Sequence, residues 1–264
     1  MKNRVTIITP THSFKIETSG KFSGYVNTVP SAPSTALVTK GIDSIYKYTN
    51  LKGCRHVIGI DHKGQQIDEV YYNNLKGLID TVDVQSTRYE NLEVIKSLNE
   101  TTDPKITATK LFLLLRDMVE TDYFLMWEHD WEFITEIDME NLIKTMDEHK
   151  FINYVRFYAA ENKKNELHYH LEPEDRVPET PLLRTPCWSG NPHICRTSTW
   201  KNWWKKLVYP TPYCYVEQSI FETVNFSVDK MGWDRAKESW GLYLYGNEGE
   251  GPFVKHTDGN SYIG

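Results

Sequence analysis

Glu128, His129, Asp130 and Glu132 fall within one five-residue stretch. They directly follow the apolar, aromatic-rich run Tyr123-Phe-Leu-Met-Trp127. Carboxylates gathered in one place repel each other and are costly to bury without a compensating cation. A divalent metal carrying a phosphorylated substrate would supply that charge. The same residues also fit a strand that simply ends in a solvated acidic turn. The run itself is too short for a typical helix and is flanked by charge. It therefore predicts a fully buried strand, most often central in a parallel sheet. In an open α/β sheet the carboxyl ends of the strands face the ligand crevice.

Other stretches carry side chains of the same kind. Thr9-Pro-Thr11-His12 ends an early β-branched run, where hydroxyls and backbone amides can bond a base or ribose. Asp61 follows His56-Val-Ile-Gly-Ile60; its carboxylate can accept from a ribose or base, or form a turn before Gly64. Lys105 and Lys110 lie in the N-terminal half of a helical pattern, where a cation can face phosphate or solvent. Trp188-Ser189-Gly190-Asn191 offers an indole and amides to a sugar, or forms a tight turn around a packed Trp. Glu217 sits in a first helical turn, where the helix dipole favours the ionised carboxylate that a base requires. His168 and His170 share one face if their segment is extended, and otherwise are loop histidines.

The elements that must position these groups follow from pattern. Val5 to Thr9, His56 to Ile60, Leu78 to Val84, Asn153 to Tyr158 and Gly241 to Tyr245 read as strands. Ser34 can cap a helix running to about Tyr48. Asp103-Pro104 starts a helix with apolar positions at Ala108, Leu111, Phe112, Leu115, Met118 and Val119. Asp138 caps another, with Ile137 placed to staple onto Leu142. Trp200, Trp203, Trp204 and Leu207 form a helical stripe and read as core. A further helix runs from Val216 to Gly232. Residues 14 to 34 and 160 to 186 are polar or rich in Gly and Pro and read as loops.

Bulk composition narrows the classes. With 30 basic and 36 acidic residues the net charge is −6, and no basic run occurs. Nucleic acid and anionic membranes are therefore poor candidate partners. No apolar segment approaches membrane-spanning length, and Met1-Lys-Asn-Arg4 leads straight into a strand pattern rather than a signal peptide. Cys54, Cys187, Cys195 and Cys214 lack paired C-x-x-C spacing, so a zinc site is not expected. Free thiols fit a cytoplasmic protein. The aromatic share of 13% is high, which suits sugar stacking but equally a Trp-rich core.

Taken in order, these motifs resemble the GT-A-fold glycosyltransferases, family-2-like members in particular. The resemblance covers most of the chain as scattered short motifs. Glu128-His129-Asp130 resembles the acid-x-acid metal motif, with Glu where Asp is usual in the first position. Thr9-Pro-Thr11-His12 and Asp61 resemble the nucleoside-binding ends of the first two strands. Val216-Glu217-Gln218 resembles the helix start that carries the base in inverting members, with Gln218 in place of a second acid. Lys255-His256 resembles a late histidine that some members use as a metal ligand.

The resemblance implies an α/β fold: a single GT-A-like domain over 1–264, with a mostly parallel central sheet flanked by helices. Residues 1–135 would form the nucleotide-sugar-binding half and 136–264 the acceptor-binding half. It implies Mn²⁺ or Mg²⁺ held by Asp130, His256 and Glu128. Thr9, Thr11, His12, Asp61, Lys105 and Glu128 would contact a nucleoside-diphosphate sugar. Trp188, Ser189, Gly190 and Asn191 would contact a carbohydrate or glycoconjugate acceptor, with Glu217 as base. Glu132, beyond the turn, reads as solvated surface. Two other functions fit parts of the pattern: a sugar nucleotidyltransferase, for which Gly20-Lys-Phe-Ser-Gly24 is a poor phosphate loop, and a non-catalytic carbohydrate-binding module.

Overall fold

The computed structural model describes residues 1–12, 34–62, 64–80, 89–98, 101, 103–171 and 180–257. Strands β1 (Val5–His12), β2 (Arg55–His62), β3 (Leu92–Leu98) and β4 (Tyr123–Met126) lie side by side and parallel. Helices α1 (Ala36–Tyr48), α2 (Gln66–Asp80) and α3 (Pro104–Asp117) lie in the segments that connect them. Strands β6 (Tyr154–Arg156), β7 (Leu182–Arg184), β8 (His193–Arg196) and β9 (Leu242–Tyr245) extend the same sheet beyond β4. Its order is β3-β2-β1-β4-β8-β6-β9-β7, and four of the seven neighbouring pairs are parallel. A mixed α/β fold with a mostly parallel sheet flanked by helices is thus what the sequence led us to expect.

The order 3-2-1-4 reverses direction between β1 and β4. Such a switch point opens a crevice beyond the carboxyl ends of its two strands. The residues that end β1 and follow β4 are His12 and Glu128–Asp130, so topology alone places them at a ligand crevice.

Every residue of β4 is buried, as expected for a central strand. One face of the sheet carries Val5, Ile7, Leu125 and Trp127 into a cluster with Met139, Leu142 and Ile143 of α4 (Met139–Glu148). The other face carries Ile8, Phe124 and Met126 against Leu111, Phe112 and Leu115 of α3. This second cluster also takes Trp200 of α5 (Thr197–Asn202), Trp204 of the 3₁₀ turn Trp204–Leu207, and Ile220 of α6 (Val216–Met231). Trp240 joins them from α7 (Trp233–Trp240). Full burial of each large apolar side chain is worth about 1.5–3 kcal/mol. Trp200 and Trp204 are core, as their spacing suggested, whereas the helix ends at Asn202, and Trp203 and Leu207 are only partly buried against that core.

Local signals explain the ends of α3 and α4. The Asp103 carboxylate accepts from the Lys105 and Ile106 amides, and the Asp138 carboxylate from the Asn141 amide. Gly59 sits where α3 meets β2: a Cβ there would lie 2.7 and 2.9 Å from Leu111 and Leu115 methyls. Glycine lets the helix lie close on the sheet, and that closeness sets the position of the wall that α3 presents to the crevice.

Some expectations need correction. Leu78 and Ile79 are helical, in α2 rather than in a strand, while Val82 and Val84 lie outside the described residues. Tyr71, Leu75 and Leu78 pack together at helical spacing. Asp68 and Glu69 favour the first turn of that helix. Together these outweigh the short alternation further on. The third strand is instead Leu92–Leu98, whose middle residues are only half buried and so show no clear period. The expected strand at Asn153–Tyr158 shortens to β6. Most of the loop at 14–34, including Gly20–Gly24, lies outside the described residues.

His56 on β2 is fully buried, with Nε2 2.8 Å from Thr9 Oγ1 and Nδ1 without a partner. Burial lowers its pKa to about 3. The folded state therefore favours neutral imidazole. That contribution is complete above the unfolded pKa of about 6.5 and is lost as pH falls below it. Between pH 7 and pH 5 His56 is expected to withdraw roughly 2 kcal/mol of stability. Urea titrations at both pH values check this: His56→Gln should show the shallower pH dependence, and equal slopes would rule His56 out as the source.

Candidate active site

A cleft of about 260 Å³ opens at the carboxyl ends of β1 and β4. Pro10, Thr11 and His12 line it from β1, and Asp61 from β2. Ala108, Thr109, Leu111 and Phe112 of α3 form one wall. Glu128, His129 and Asp130 lie along it after β4, and Trp188, Gly190 and Tyr215 to Glu217 close the opposite side. Segments spread over more than two hundred positions of the chain therefore converge on one space.

Glu217 begins α6 and is held from the neighbouring turn. The Ser189 hydroxyl and the Gly190 amide (2.9 Å) both donate to its Oε1. That turn is fixed in its own right, because the buried Tyr154 hydroxyl donates to the Ser189 carbonyl at 2.7 Å. A Cβ on Gly190 would lie 3.7 Å from Glu217 Oε2 and 3.8 Å from Glu128 Oε1. Both carboxylates thus lie within ordinary contact of the space that the missing Gly190 side chain leaves open.

Asp130 Oδ2 lies 3.2 Å from His256 Nε2. Burial opposes its ionisation, but the charge of His129 and the His256 hydrogen bond outweigh that, so its pKa falls well below the ordinary carboxylate range. Its other oxygen, Oδ1, is buried with no hydrogen-bond partner. Glu128 behaves in the opposite way. Burial, then the charges of Asp130 and Glu217, push its carboxyl up to about 8, while His256 and Arg116 pull it down. Arg116 of α3 is fully buried, with its guanidinium against the rings of Phe112, Phe124 and Trp200.

His256 reaches Asp130 through a second, two-stranded sheet. β10 (Val254–His256) pairs antiparallel with β5 (Trp131–Phe133), placing Lys255 opposite Glu132 and His256 opposite Trp131. Thr257 then donates its amide and its hydroxyl to the Asp130 carbonyl at 2.7 and 2.8 Å. Glu132 is not solvated surface, as its sequence position suggested. It is 8% exposed and sits between Lys40 of α1 at 2.5 Å and Lys255 at 3.3 Å. The lysines approach from distant parts of the chain, so no local spacing could signal the clamp. Tyr154 was missed for the same reason: it lies far from the turn it supports.

The remaining expected site residues divide into cleft walls and supports. Thr11 Oγ1 pairs with Tyr71 Oη at 2.9 Å, and Asp61 accepts from Thr107 Oγ1 at 2.7 Å. His12 meets His129 edge to face at 4.9 Å. Thr9 is turned to His56 and does not line the cleft. Lys105 Nζ donates to the Tyr213 carbonyl at 3.2 Å, bracing the segment before α6 rather than lining the cleft. Trp188 lines the cleft but is 1% exposed, with Tyr154 and His193 against it, so it is wall rather than open platform. The Asn191 amide donates to Ser189 Oγ, outside the lining. His168 and His170 take different partners: His168 bonds Arg156 and Thr185, and His170 stacks on Trp233. Among the described residues no helix is long and apolar enough to cross a membrane.

No family model matches the chain, and no curated protein matches it. Solved structures share its fold. GalNAc-T7 with UDP, GalNAc and Mn²⁺ aligns over 96% of this chain and 43% of its own, at a TM-score of 0.57 and 12% identity. Staphylococcus aureus TarS residues 1–349 aligns over 96% of this chain and 60% of its own, at 0.52 and 12%. The TarS 1–349 complex with UDP-GlcNAc aligns over 98% and 62%, at 0.50 and 13%. This chain therefore spans about half the length of these structures. What they share with it is the GT-A fold.

The clamp on Glu132 yields a direct test. Glu132→Ala leaves two lysines facing each other and loosens β10 from β5. The lysines are about half exposed, so solvent screening limits the expected cost to about 1–2 kcal/mol in urea unfolding. Hydrogen exchange should rise selectively at Trp131–Phe133 and Val254–His256. Unchanged exchange there would show that strand pairing alone holds the C-terminal segment.

Proposed function

We propose that this GT-A-fold chain is a metal-dependent glycosyltransferase. It moves a sugar from a nucleoside-diphosphate sugar to a hydroxyl of a carbohydrate or glycoconjugate acceptor. One observation carries the reading: a single cleft at the sheet's switch point holds Glu217, fixed by Ser189 and Gly190, across from Glu128 and Asp130. Residues 1–135 supply the donor side, through Thr11, His12, Asp61, Glu128 and Asp130. Residues 136–264 supply the acceptor side, through Gly190 and Glu217.

The acid cluster suits a divalent cation. Asp130 Oδ1 is buried and unpaired, and three carboxylates crowd one cleft with Arg116 as a buried cation behind. Among the described residues no three His, Cys, Asp or Glu side chains already form a metal-binding group. Asp130 and His256 would then hold Mn²⁺ or Mg²⁺, Glu128 would stand beside them, and the donor diphosphate with water would complete the shell. A bound cation supplies charge to the leaving diphosphate.

The chain's own groups do the rest. Asp61 and the hydroxyl of Thr11 offer bonds to the nucleoside at the ends of β2 and β1. Trp188, Leu111 and Phe112 keep the cleft apolar and limit water. Glu217 accepts the proton of the acceptor hydroxyl as its oxygen bonds to the anomeric carbon. The electron pair of the broken anomeric C–O bond leaves with the diphosphate. Attack from the face opposite the leaving group inverts the anomeric centre. Ser189 and Gly190 hold Glu217 in place through their hydrogen bonds to Oε1.

Release of UDP or GDP from a panel of nucleotide sugars, with and without Mn²⁺, tests this. Cation-dependent release is expected from the wild type and is expected to vanish in Asp130→Ala. Glu217→Gln should lower kcat roughly 10²- to 10⁴-fold with little change in donor KM. Full activity in Asp130→Ala, or pyrophosphate release from NTP and sugar phosphate instead, would overturn the assignment in favour of a nucleotidyltransferase or another function.

A further inference from the structure

Beside Glu217 the surface carries an aromatic segment that the reaction does not use. It runs Tyr209-Pro-Thr-Pro-Tyr213-Cys-Tyr215. Tyr209, Tyr213 and Tyr215 are 69%, 85% and 48% exposed. Tyrosines in a fold this rich in buried aromatics are more often core, so three exposed within seven residues call for an explanation.

The segment is exposed yet held. Pro210 and Pro212 restrict its backbone. The Tyr213 amide donates to Thr211 Oγ1 at 3.2 Å, and Lys105 Nζ donates to the Tyr213 carbonyl at 3.2 Å. The Tyr215 carbonyl accepts from the Ser219 amide at 3.2 Å, tying the segment to α6. Tyr215 itself lines the cleft, two residues before Glu217. Tyr215 and Glu217 therefore line the same cleft, and the more exposed Tyr213 lies two residues before Tyr215 on the same braced segment.

We infer that Tyr213 and Tyr215 form an acceptor subsite for an oligosaccharide of at least two sugars. The inference rests on the glycosyltransferase reading and adds the acceptor class to it. A pyranose presents C–H groups on one face and hydroxyls at its rim. A phenol matches both, with an apolar ring and a polar tip. Rings on a braced segment lose little freedom on binding. From Tyr209 to Tyr215 no Leu, Ile, Val, Met or Phe occurs, the long apolar side chains by which a surface segment inserts into lipid. The buried Trp188 cannot serve as such a platform, whereas these rings can.

Calorimetry with the full chain, using defined tetrasaccharides of glucose, N-acetylglucosamine, galactose and mannose, tests the subsite. At least one tetrasaccharide should bind more tightly than its monosaccharide. Tyr213→Ala and Tyr215→Ala should each weaken that binding roughly tenfold, while Tyr213→Phe retains most of it. No binding to any tetrasaccharide overturns the subsite. So does unchanged binding in both alanine variants, or binding to phosphatidylcholine vesicles in place of glycans. UDP binding with Mn²⁺ is measured in parallel. GDP is tested alongside it: binding of neither by the wild type would sink the glycosyltransferase reading, whereas glycan failure with nucleotide binding intact sinks only the subsite.

Discussion

The site depends on one backbone oxygen. The Asp130 carbonyl accepts both the amide and the hydroxyl of Thr257, 127 residues further along the chain. Closing so long a loop costs conformational entropy, although that cost grows only slowly with length. Two short strands and two ion pairs share in offsetting it. β10 lies along β5, Lys255 reaches Glu132, and Lys40 reaches the same carboxylate from α1. Only with that closure does His256 stand beside Asp130. Remove it and the acid turn after β4 loses the imidazole and the strand that shape it.

The second constraint is electrostatic. Glu128, Asp130 and Glu217 share a cleft whose walls include Phe112, Met126 and Trp188. Low local polarity amplifies their repulsion. The protein resolves this unevenly. Asp130 has histidines beside it and stays ionised; Glu128 has none of comparable strength and is pushed toward its neutral form. Glu217 is held in position by a hydroxyl and an amide from the turn that Tyr154 supports. Three acids of similar intrinsic strength thus acquire three different environments.

Sequence patterns read best where one interaction range dominates. The buried β4, the Asp103 and Asp138 caps and the tryptophan stripe are local, and they were legible. The convergence of Thr11, Asp61, Glu128 and Glu217 was legible only as an order of motifs, because the first three sit at or just past strand ends and Glu217 at a helix start. What stayed hidden was built across distance. Lys40 and Lys255 have no sequence relation to Glu132, and Tyr154 has none to Ser189. Strands of three residues such as β5, β6 and β10 are too short to show a period. In α2 a helical spacing and a strand alternation overlapped at Leu78 and Ile79, and burial of Tyr71 and Leu75 decided for the helix.

Gly190 bears on access to two acids in a way its conformation does not reveal. A single methyl there would meet both carboxylates at ordinary contact distance, with no clash to distort the fold. The space it would fill is about one heavy atom wide. Any side chain larger than alanine's would reach past that contact toward both acids, so the missing Cβ keeps the approach to Glu128 and Glu217 open from this turn.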